Sequence, residues 1–140
     1  LDPQTRLLVW EKLTLLKSQG ITILLTTHYM EEAAQLCDHI VILDQGTILD
    51  EGTTEALISR HVGSQVVEIR STPESKARIF DALSGPGANL QERGDTVVMY
   101  GNVGAFDYDK LVGDQIQVTR RPANLEDVFL HLTGRGLREE

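Results

Sequence analysis

The sequence lacks several features that would place it in a well-defined class of proteins. It has one cysteine, Cys37, in 140 residues, which excludes an internal disulfide framework and is typical of a reducing compartment. No apolar run is long enough to span a bilayer, and the first residues have neither the charge nor the length of a signal peptide. The chain also lacks an initiator methionine and opens directly on a helix start, so we expect a fragment of a longer protein.

A basic surface and a metal-ligand cluster are also missing. The net charge is −8, of which residues 1–53 contribute −5 (8 acidic, 3 basic) and residues 54–140 contribute −3 (13 acidic, 10 basic). We therefore expect no binding to nucleic acid, which requires a basic face. The histidines are scattered, none at ligand spacing from the cysteine, so we expect no metal site; they are His28, His39, His61 and His131.

The first part of the chain has the pattern of an α/β protein. Asp2 can cap a helix and Pro3 suits its first position, so we predict a helix to about residue 18 that Gly20 stops. Its apolar stripe is formed by Val9, Trp10, Leu13 and Leu16. Residues 21–25 (ITILL) are apolar throughout, which is typical of a strand buried on both faces of a parallel sheet. A helix over 30–37, a hairpin of strands 40–43 and 47–49, and a helix over 54–60 follow.

One histidine lies where such a sheet binds ligands. His28 comes just after the predicted strand 21–25, and ligands of α/β sheets bind beyond the carboxyl ends of the strands. A lone histidine at a strand end is, however, more often a cap or a surface residue. Both interpretations stay open on the pattern alone.

The order of elements changes after residues 61–64, which we interpret as a domain boundary. The patterns that follow predict a strand at 66–70, a helix at 73–83, a hairpin of 90–93 and 96–100, a helix at 106–112 and a strand at 115–120. This βαββαβ order is that of a ferredoxin-like split sheet. A closing helix is capped by Asn124 with Asp127 three residues on, and Gly134 ends it. Its apolar stripe consists of Leu125, Val128, Phe129 and Leu132.

Three stretches, in this order, resemble one family. The first is Leu1-Asp2-Pro3. The second comprises TTHYMEEA at 26–33, CDH at 37–39, DQG at 44–46 and DEGT at 50–53. The third comprises RRP at 120–122, LEDVFL at 125–130 and LTG at 132–134. Together they are similar to the ATPase subunits of bacterial ABC exporters of the daunorubicin-resistance and nodulation type. The resemblance implies the C-terminal part of a P-loop ABC ATPase core at 1–63, followed by a small ferredoxin-like α+β accessory domain at 64–140.

The resemblance also implies roles for two residues. His28 matches the switch histidine, which contacts the γ-phosphate of ATP and helps to hold the attacking water. Asp2 matches the aspartate of the loop that crosses between two ATPase subunits. For the full-length protein it implies ATP and Mg²⁺ as cofactors and two partners, a transmembrane permease and a second ATPase subunit. It implies a cytoplasmic location on the inner face of the membrane.

Most of the family's nucleotide-binding motifs are not in these 140 residues. There is no G-x-x-x-x-G-K-[ST] loop, no signature motif, no glutamine loop and no Walker B aspartate with its neighbouring glutamate. We therefore expect that this chain alone neither binds nor hydrolyses ATP. A small departure is Thr54, where the family often has proline. Because the Walker B strand is missing beside residues 21–25, we also expect the open strand edge to make the chain self-associate.

Two alternatives to the ATPase interpretation concern function. Residues 64–140 could form a regulatory or dimerisation module with no nucleotide role of its own, as ferredoxin-like domains often do. An ATPase of the same superfamily acting in DNA repair is disfavoured by the acidic charge and by the accessory-domain signature.

Overall fold

The computed structural model describes residues 2–83, 88–101 and 116–134. In chain order its elements are α1 (Pro3–Ser18), α2 (Met30–Leu36), β1 (Ile40–Asp44), β2 (Thr47–Gly52), α3 (Thr54–His61), β3 (Gln65–Arg70), α4 (Pro73–Leu83), β4 (Ala88–Arg93), β5 (Thr96–Gly101), β6 (Gln117–Pro122) and α5 (Leu125–Thr133). The chain divides by internal contacts into two compact units, Leu1–Thr54 and Glu55–Glu140. None of the described helices is long and apolar enough to cross a membrane.

Helix α1 begins and ends where its sequence predicts. The Asp2 side chain accepts a hydrogen bond of 2.8 Å from the backbone N–H of Thr5, which satisfies one of the free donors of the first turn. At the other end Gly20 has φ +88°, and the N–H of Ile21 donates to the carbonyl of Leu16. This left-handed glycine closes the helix because it can reverse the chain without a Cβ clash.

The predicted strand at residues 21–25 is wrong: this segment is irregular in the structure. Ile21 is 46% exposed and Leu24 is 95% exposed, so the run is not buried on both faces. The strands described in the first unit, β1 and β2, pair with each other and leave residues 21–25 without a ladder. An apolar run favours burial, but a strand forms only where a neighbouring strand supplies hydrogen bonds.

The first hairpin is confirmed. β1 and β2 pair antiparallel around a two-residue turn at Gln45 and Gly46, whose φ angles are +50° and +77°. Two positive φ values in succession are characteristic of the tight turn that matches strand twist, and glycine adopts them readily. Ile40 and Ile42 are buried while Val41 is exposed, so only one face of the hairpin packs inward.

The second unit is built on a four-stranded antiparallel sheet with the order β4-β5-β3-β6. The first strand of the unit, β3, therefore lies between the third and the fourth. The four strands and α4 follow in the predicted sequence, and α4 has the predicted bounds. The predicted helix at 106–112 lies outside the described residues.

Each face of this sheet carries a different helix. On one face α4 contributes Ile79 and Leu83 to an apolar core in which β3 and β5 contribute Val67, Ile69, Val97 and Met99. The alternating residues of the same strands point to the other face. There the strands contact α5, because Gln91 on β4 donates to the carbonyl of Leu130 at 2.9 Å.

Helix α3 lies in the second unit from Glu55 onward, although the sequence suggests a boundary after it. Its Leu57 is fully buried, and Val62, just past its end, is 2% exposed. The chain beyond α3 is joined to the sheet by backbone bonds: Gly101 donates to the carbonyl of Val62 at 3.3 Å, and Ala123 donates to that of Ser64 at 3.0 Å. The burial of Leu57 shows that α3 packs into the second unit, which the sequence alone did not predict.

Candidate functional site

His28 lies in the turn between α1 and α2, two residues before α2 begins, and it is exposed. The backbone N–H of Tyr29 donates to the Thr27 hydroxyl at 2.9 Å, so the turn around His28 is closed by a local side-chain bond. An exposed imidazole held in a closed turn can donate to an anionic oxygen. The structure thus places His28 at a turn that follows an irregular segment, and not at the end of a buried strand.

Asp2 serves as the N-cap of α1. Its pKa is lowered from the ordinary aspartate value because its carboxylate accepts hydrogen bonds from the backbone and the hydroxyl of Thr5. The predicted cap is therefore confirmed. Its side chain is exposed, so a contact with another protein surface would compete with this helix cap.

The turn that carries His28 contacts the first half of α1. Tyr29 is the residue that makes this contact. The Arg6 guanidinium lies 4.8 Å from the centre of the Tyr29 ring, and the Trp10 ring centre lies 6.4 Å from it. The Trp10 indole N–H donates to the Glu32 carboxylate at 3.0 Å. We call these four residues, Arg6, Trp10, Tyr29 and Glu32, the Tyr29 clamp.

Reasoning from the sequence alone did not find the clamp. Arg6 and Trp10 are four residues apart and therefore share a face of α1, which is the one signal available. The sequence pattern assigned Trp10 to an apolar stripe with Val9, Leu13 and Leu16. None of the residues of α1 is fully buried: in that stripe Trp10, Leu13 and Leu16 are half-buried and Val9 is exposed.

A second tie joins α1 to the end of α2. The Lys17 ammonium group donates to the carbonyl of Leu36 at 3.1 Å and pairs with the Asp38 carboxylate at 3.0 Å. The Asp38 side chain is 82% exposed. An ion pair this exposed contributes about 0–1 kcal/mol. Nearby, partial burial raises the pKa of the Cys37 thiol, so this cysteine is poorly suited to act as a thiolate nucleophile.

The first unit carries many large apolar side chains on its surface. Leu24, Leu8, Leu43 and Ile48 are at least 60% exposed. The others in this group are Leu7, Val9, Leu15, Ile21, Tyr29 and Val41. The exposure of so many apolar side chains is typical of a segment that other parts of a protein cover.

The second unit contains a buried ion network centred on Asp127, whose side chain is 1% exposed. Arg93 donates to its Oδ1 at 2.9 Å, and Arg121 donates to both oxygens at 2.8 Å. The backbone N–H of Asn124 donates to Oδ2 at 2.9 Å, which completes the predicted capping box. The Arg121 Nε atom also donates to Glu68 at 2.6 Å.

Asp127 and its arginine partners stabilise each other's ionised forms, although the Asp127 side chain is buried. Burial acts to raise the pKa of Asp127, but the hydrogen bonds from Arg121 and Arg93 outweigh it, and the pKa is lowered. The pKa of Arg121 is raised above its ordinary value, chiefly by its hydrogen bonds to Asp127. The sequence predicted Asp127 only as a cap. The sequence signal available was the position of Asp127 between Leu125 and Val128, two residues of the predicted apolar stripe.

Two histidines and a tyrosine meet at the other end of α5. The Tyr100 hydroxyl lies 2.6 Å from Nδ1 of His131, and the rings of His131 and His61 are 6.1 Å apart. The pKa of His131 is lowered, first by burial and then by the neighbouring His61 ring. Burial raises the pKa of Tyr100.

The described residues gather no cluster of metal ligands and form a small polar hollow. Nowhere in the described ranges do three or more His, Cys, Asp or Glu side chains gather as metal ligands. A polar hollow of about 100 Å³ on the sheet of the second unit is lined by Glu68, Arg70, Thr96, Gln117 and Thr119. A pocket for a drug-sized ligand needs roughly 300 Å³ or more, so this hollow is too small for a nucleotide.

Comparison with known proteins gives two kinds of match. The family described as nodulation factor export protein NodI, C-terminal domain, matches residues 80–134. Nod factor export ATP-binding protein I from Cupriavidus metallidurans is 44% identical over an alignment of 140 positions, which covers 99% of this chain and 46% of the relative. The proteins of the same name from Mesorhizobium japonicum and Rhizobium meliloti are 41% and 42% identical, over 99% of this chain and 41% of each relative.

The chain spans less than half the length of these relatives. The alignment nevertheless includes almost every residue of the chain, from the Asp2 cap to α5, so it extends well beyond residues 80–134. Identity above 40% over this length establishes common ancestry. The chain is therefore homologous to part of the ATP-binding subunit of an ABC exporter of the nodulation type, as its sequence resemblance predicts.

Proposed function

We propose that the chain is the C-terminal part of an ATP-binding subunit that couples ATP hydrolysis to export through a separate membrane protein. The observation that carries this proposal is the 44% identity over 140 residues to a protein whose name gives both ATP binding and Nod factor export. In this proposal residues 1–63 complete a P-loop ATPase core. Residues 64–140 form a ferredoxin-like accessory domain, which the strand order β4-β5-β3-β6 supports.

The exposed apolar surface of the first unit supports its role as part of a larger core. Leu24 and its neighbours would be covered by the remainder of the ATPase, and residues 21–25 would there gain the flanking strands that they lack here. The hydrophobic effect favours this, since each Å² of apolar surface removed from water contributes about 25 cal/mol. An apolar segment so exposed also favours self-association of the isolated chain.

His28 is proposed as the switch histidine. Its exposed imidazole would donate to the γ-phosphate and help to place the attacking water, and phosphoryl transfer depends largely on such positioning and charge stabilisation. Asp2 is proposed to lie at the contact with the second ATPase subunit. The nucleotide and Mg²⁺ would be held by other parts of the full-length protein, because the chain contains no glycine-rich phosphate loop.

The proposed partners are a transmembrane permease and a second ATPase subunit, and the proposed location is the cytoplasmic face of the membrane. The net charge of −8 supports a protein partner more than nucleic acid. Because the sequence contains no glycine-rich phosphate loop, we also propose that the 140-residue chain alone binds no nucleotide. Titration of the chain with MgATP should give no saturable signal, and magnesium-dependent saturation would overturn that part of the proposal.

Replacement of His28 tests the site. In the full-length subunit assembled with its permease, His28→Ala should lower ATP turnover by on the order of a hundredfold while nucleotide affinity changes little, because one transition-state donor is removed. His39→Ala is the matched control, since His39 is also an exposed histidine of the first unit. Normal turnover of the His28 variant would contradict the assignment.

A second function is favoured by the compactness of the second unit. It contains its own apolar core and ion network, as a regulatory or dimerisation module would. Light scattering on the 140-residue chain gives its mass. If a dimer forms through residues 21–25, Leu24→Asp should convert it to a monomer. If the dimer persists in that variant, the second unit is the dimerising part. A monomeric wild-type chain would contradict both dimerisation through residues 21–25 and dimerisation through the second unit.

A further inference from the structure

The turn that carries His28 is fixed to α1 by few contacts. The buried apolar residues described in the first unit are Ala33, Ile40 and Ile42, of which Ala33 alone lies in α1, α2 or the segment between them. The position of α2 on α1 therefore depends on directional side-chain contacts more than on a packed core. The Tyr29 clamp supplies these contacts at the end where His28 lies.

Each contact of the clamp has a defined geometry. A cation within about 6 Å of an aromatic ring centre is attracted to the ring, and Arg6 is 4.8 Å from that of Tyr29. The bond from the Trp10 indole to Glu32 fixes the first turn of α2. The Tyr29 hydroxyl donates to Glu31 at 2.8 Å, which holds the ring along α2. Tyr29 is thus held from both helices.

The clamp connects the two predicted site residues through short covalent paths. Tyr29 follows His28 directly, and its N–H closes the Thr27 turn around the imidazole. Arg6 is one helical turn after Asp2, and its backbone N–H donates to the Asp2 carbonyl at 3.0 Å. The contact of Arg6 with Tyr29 therefore joins the first turn of α1 to the His28 turn.

We propose that Arg6, Trp10, Tyr29 and Glu32 are positioning residues that hold the His28 turn on the first half of α1. His28 then keeps a fixed place relative to Asp2, and a displacement of the Asp2 end of α1 moves the imidazole. This proposal rests on the proposed function of His28. It adds residues that do not touch the nucleotide and act through the placement of His28.

The test uses the full-length subunit with its permease and measures steady-state ATPase activity. Trp10→Phe keeps an aromatic ring and removes the N–H donor, and Tyr29→Leu removes the ring next to His28. We expect kcat to fall on the order of tenfold in each variant, because misplacement of a catalytic group slows the chemical step. The KM for ATP should change less than about twofold, because contacts that bind the ground state are untouched.

Conservative and matched variants separate positioning from general destabilisation. Glu32→Gln retains an oxygen acceptor for the indole and should keep kcat close to wild type. Lys17→Gln removes the contacts between α1 and the C-terminal end of α2, the end opposite His28, and should leave kcat unchanged. Trp10→Phe and Lys17→Gln should show similar melting temperatures, so that a loss of kcat in the former alone identifies positioning.

The outcomes distinguish the two proposals. If His28→Ala abolishes turnover and both clamp variants keep the wild-type kcat, the clamp proposal is wrong and the function stands. If the clamp variants lose kcat only in proportion to a lower melting temperature, the clamp is merely structural and the proposal is likewise wrong. If His28→Ala retains turnover, the proposed function fails, and the clamp proposal fails with it.

Discussion

The two units of the chain use their apolar residues in opposite ways. Of the buried hydrophobic side chains described, three lie in the first unit and fifteen in the second. Of the large exposed ones described, ten lie in the first unit, and Val118 represents the second. The second unit therefore closes a core around its own sheet, whereas the first unit presents much of its apolar surface outward.

Polar contacts follow the same division. In the second unit the Asp127 carboxylate is buried and accepts hydrogen bonds at both oxygens, chiefly from Arg93 and Arg121, so its charge is stabilised by its partners. In the first unit the ion pair of Lys17 with Asp38 is exposed and contributes little. The comparison teaches that a short α/β segment can satisfy its local helix and turn signals without completing a hydrophobic core.

The largest expected effect is in the buried network. Asp127→Ala should reduce the stability of the second unit by about 3 kcal/mol, because Arg93 and Arg121 lose their shared partner. Hydrogen exchange of the β3 and β5 amides measures this change, and exchange of α1 should stay the same. Glu126→Ala is the control, since Glu126 is the exposed neighbour of Asp127 in the same helical turn, and its effect should stay within about 0.5 kcal/mol.

A pair of leucine substitutions tests the contrast in burial. Leu57→Ala removes a fully buried side chain of α3 and should reduce the stability of the second unit by about 2 to 3 kcal/mol. Leu24→Ala removes a side chain that is 95% exposed and should change stability by less than about 0.5 kcal/mol. Denaturant unfolding with exchange mass spectrometry provides both values. Equal losses of stability in the two variants would contradict the contrast in burial. They would also show that α3 does not contribute to the core of the second unit.

The smallest expected effect is a pH dependence in the second unit. The pKa of His131 is lowered from the ordinary value of 6.5, so the folded unit binds fewer protons than the unfolded chain near that pH. This stabilising contribution is present above pH 6.5 and is lost as the pH falls through the lowered pKa. The groups facing His131 are Tyr100 and His61. His131→Gln should flatten the stability curve between about pH 7 and 5.

The control for the pH experiment comes from the first unit. His39→Gln should leave the pH dependence of β3 and β5 exchange unchanged, because His39 pairs with Glu51 outside the second unit. A pH curve that keeps its shape in the His131 variant would contradict the assignment of this dependence to His131, whose pKa is lowered by burial and by the neighbouring His61.

Local signals predicted much of the fold. The Asp2 cap, the Gly20 stop, the turn at Gln45 and Gly46, and the Asn124 capping box all appear where the sequence places them. Each depends on residues close in sequence, so its physics is complete within one turn of chain. Residues 21–25 failed because strand formation depends on partners distant in sequence. For the candidate site, the sequence resemblance predicted His28 and Asp2. It did not predict that Arg6, Trp10, Tyr29 and Glu32 contact one another.

By itself the sequence determined the helix caps, the hairpin turns, the order of the four strands and α4 in the second unit, and the homology to an exporter's ATP-binding subunit. These follow from interactions between near neighbours or from residue identity along the chain. The tertiary structure alone decided that Asp127 pairs with Arg93 and Arg121, that α3 packs with the second unit, and that Tyr29 meets Arg6 and Trp10. Those contacts join residues from separate elements, and only the folded backbone sets the distances between them.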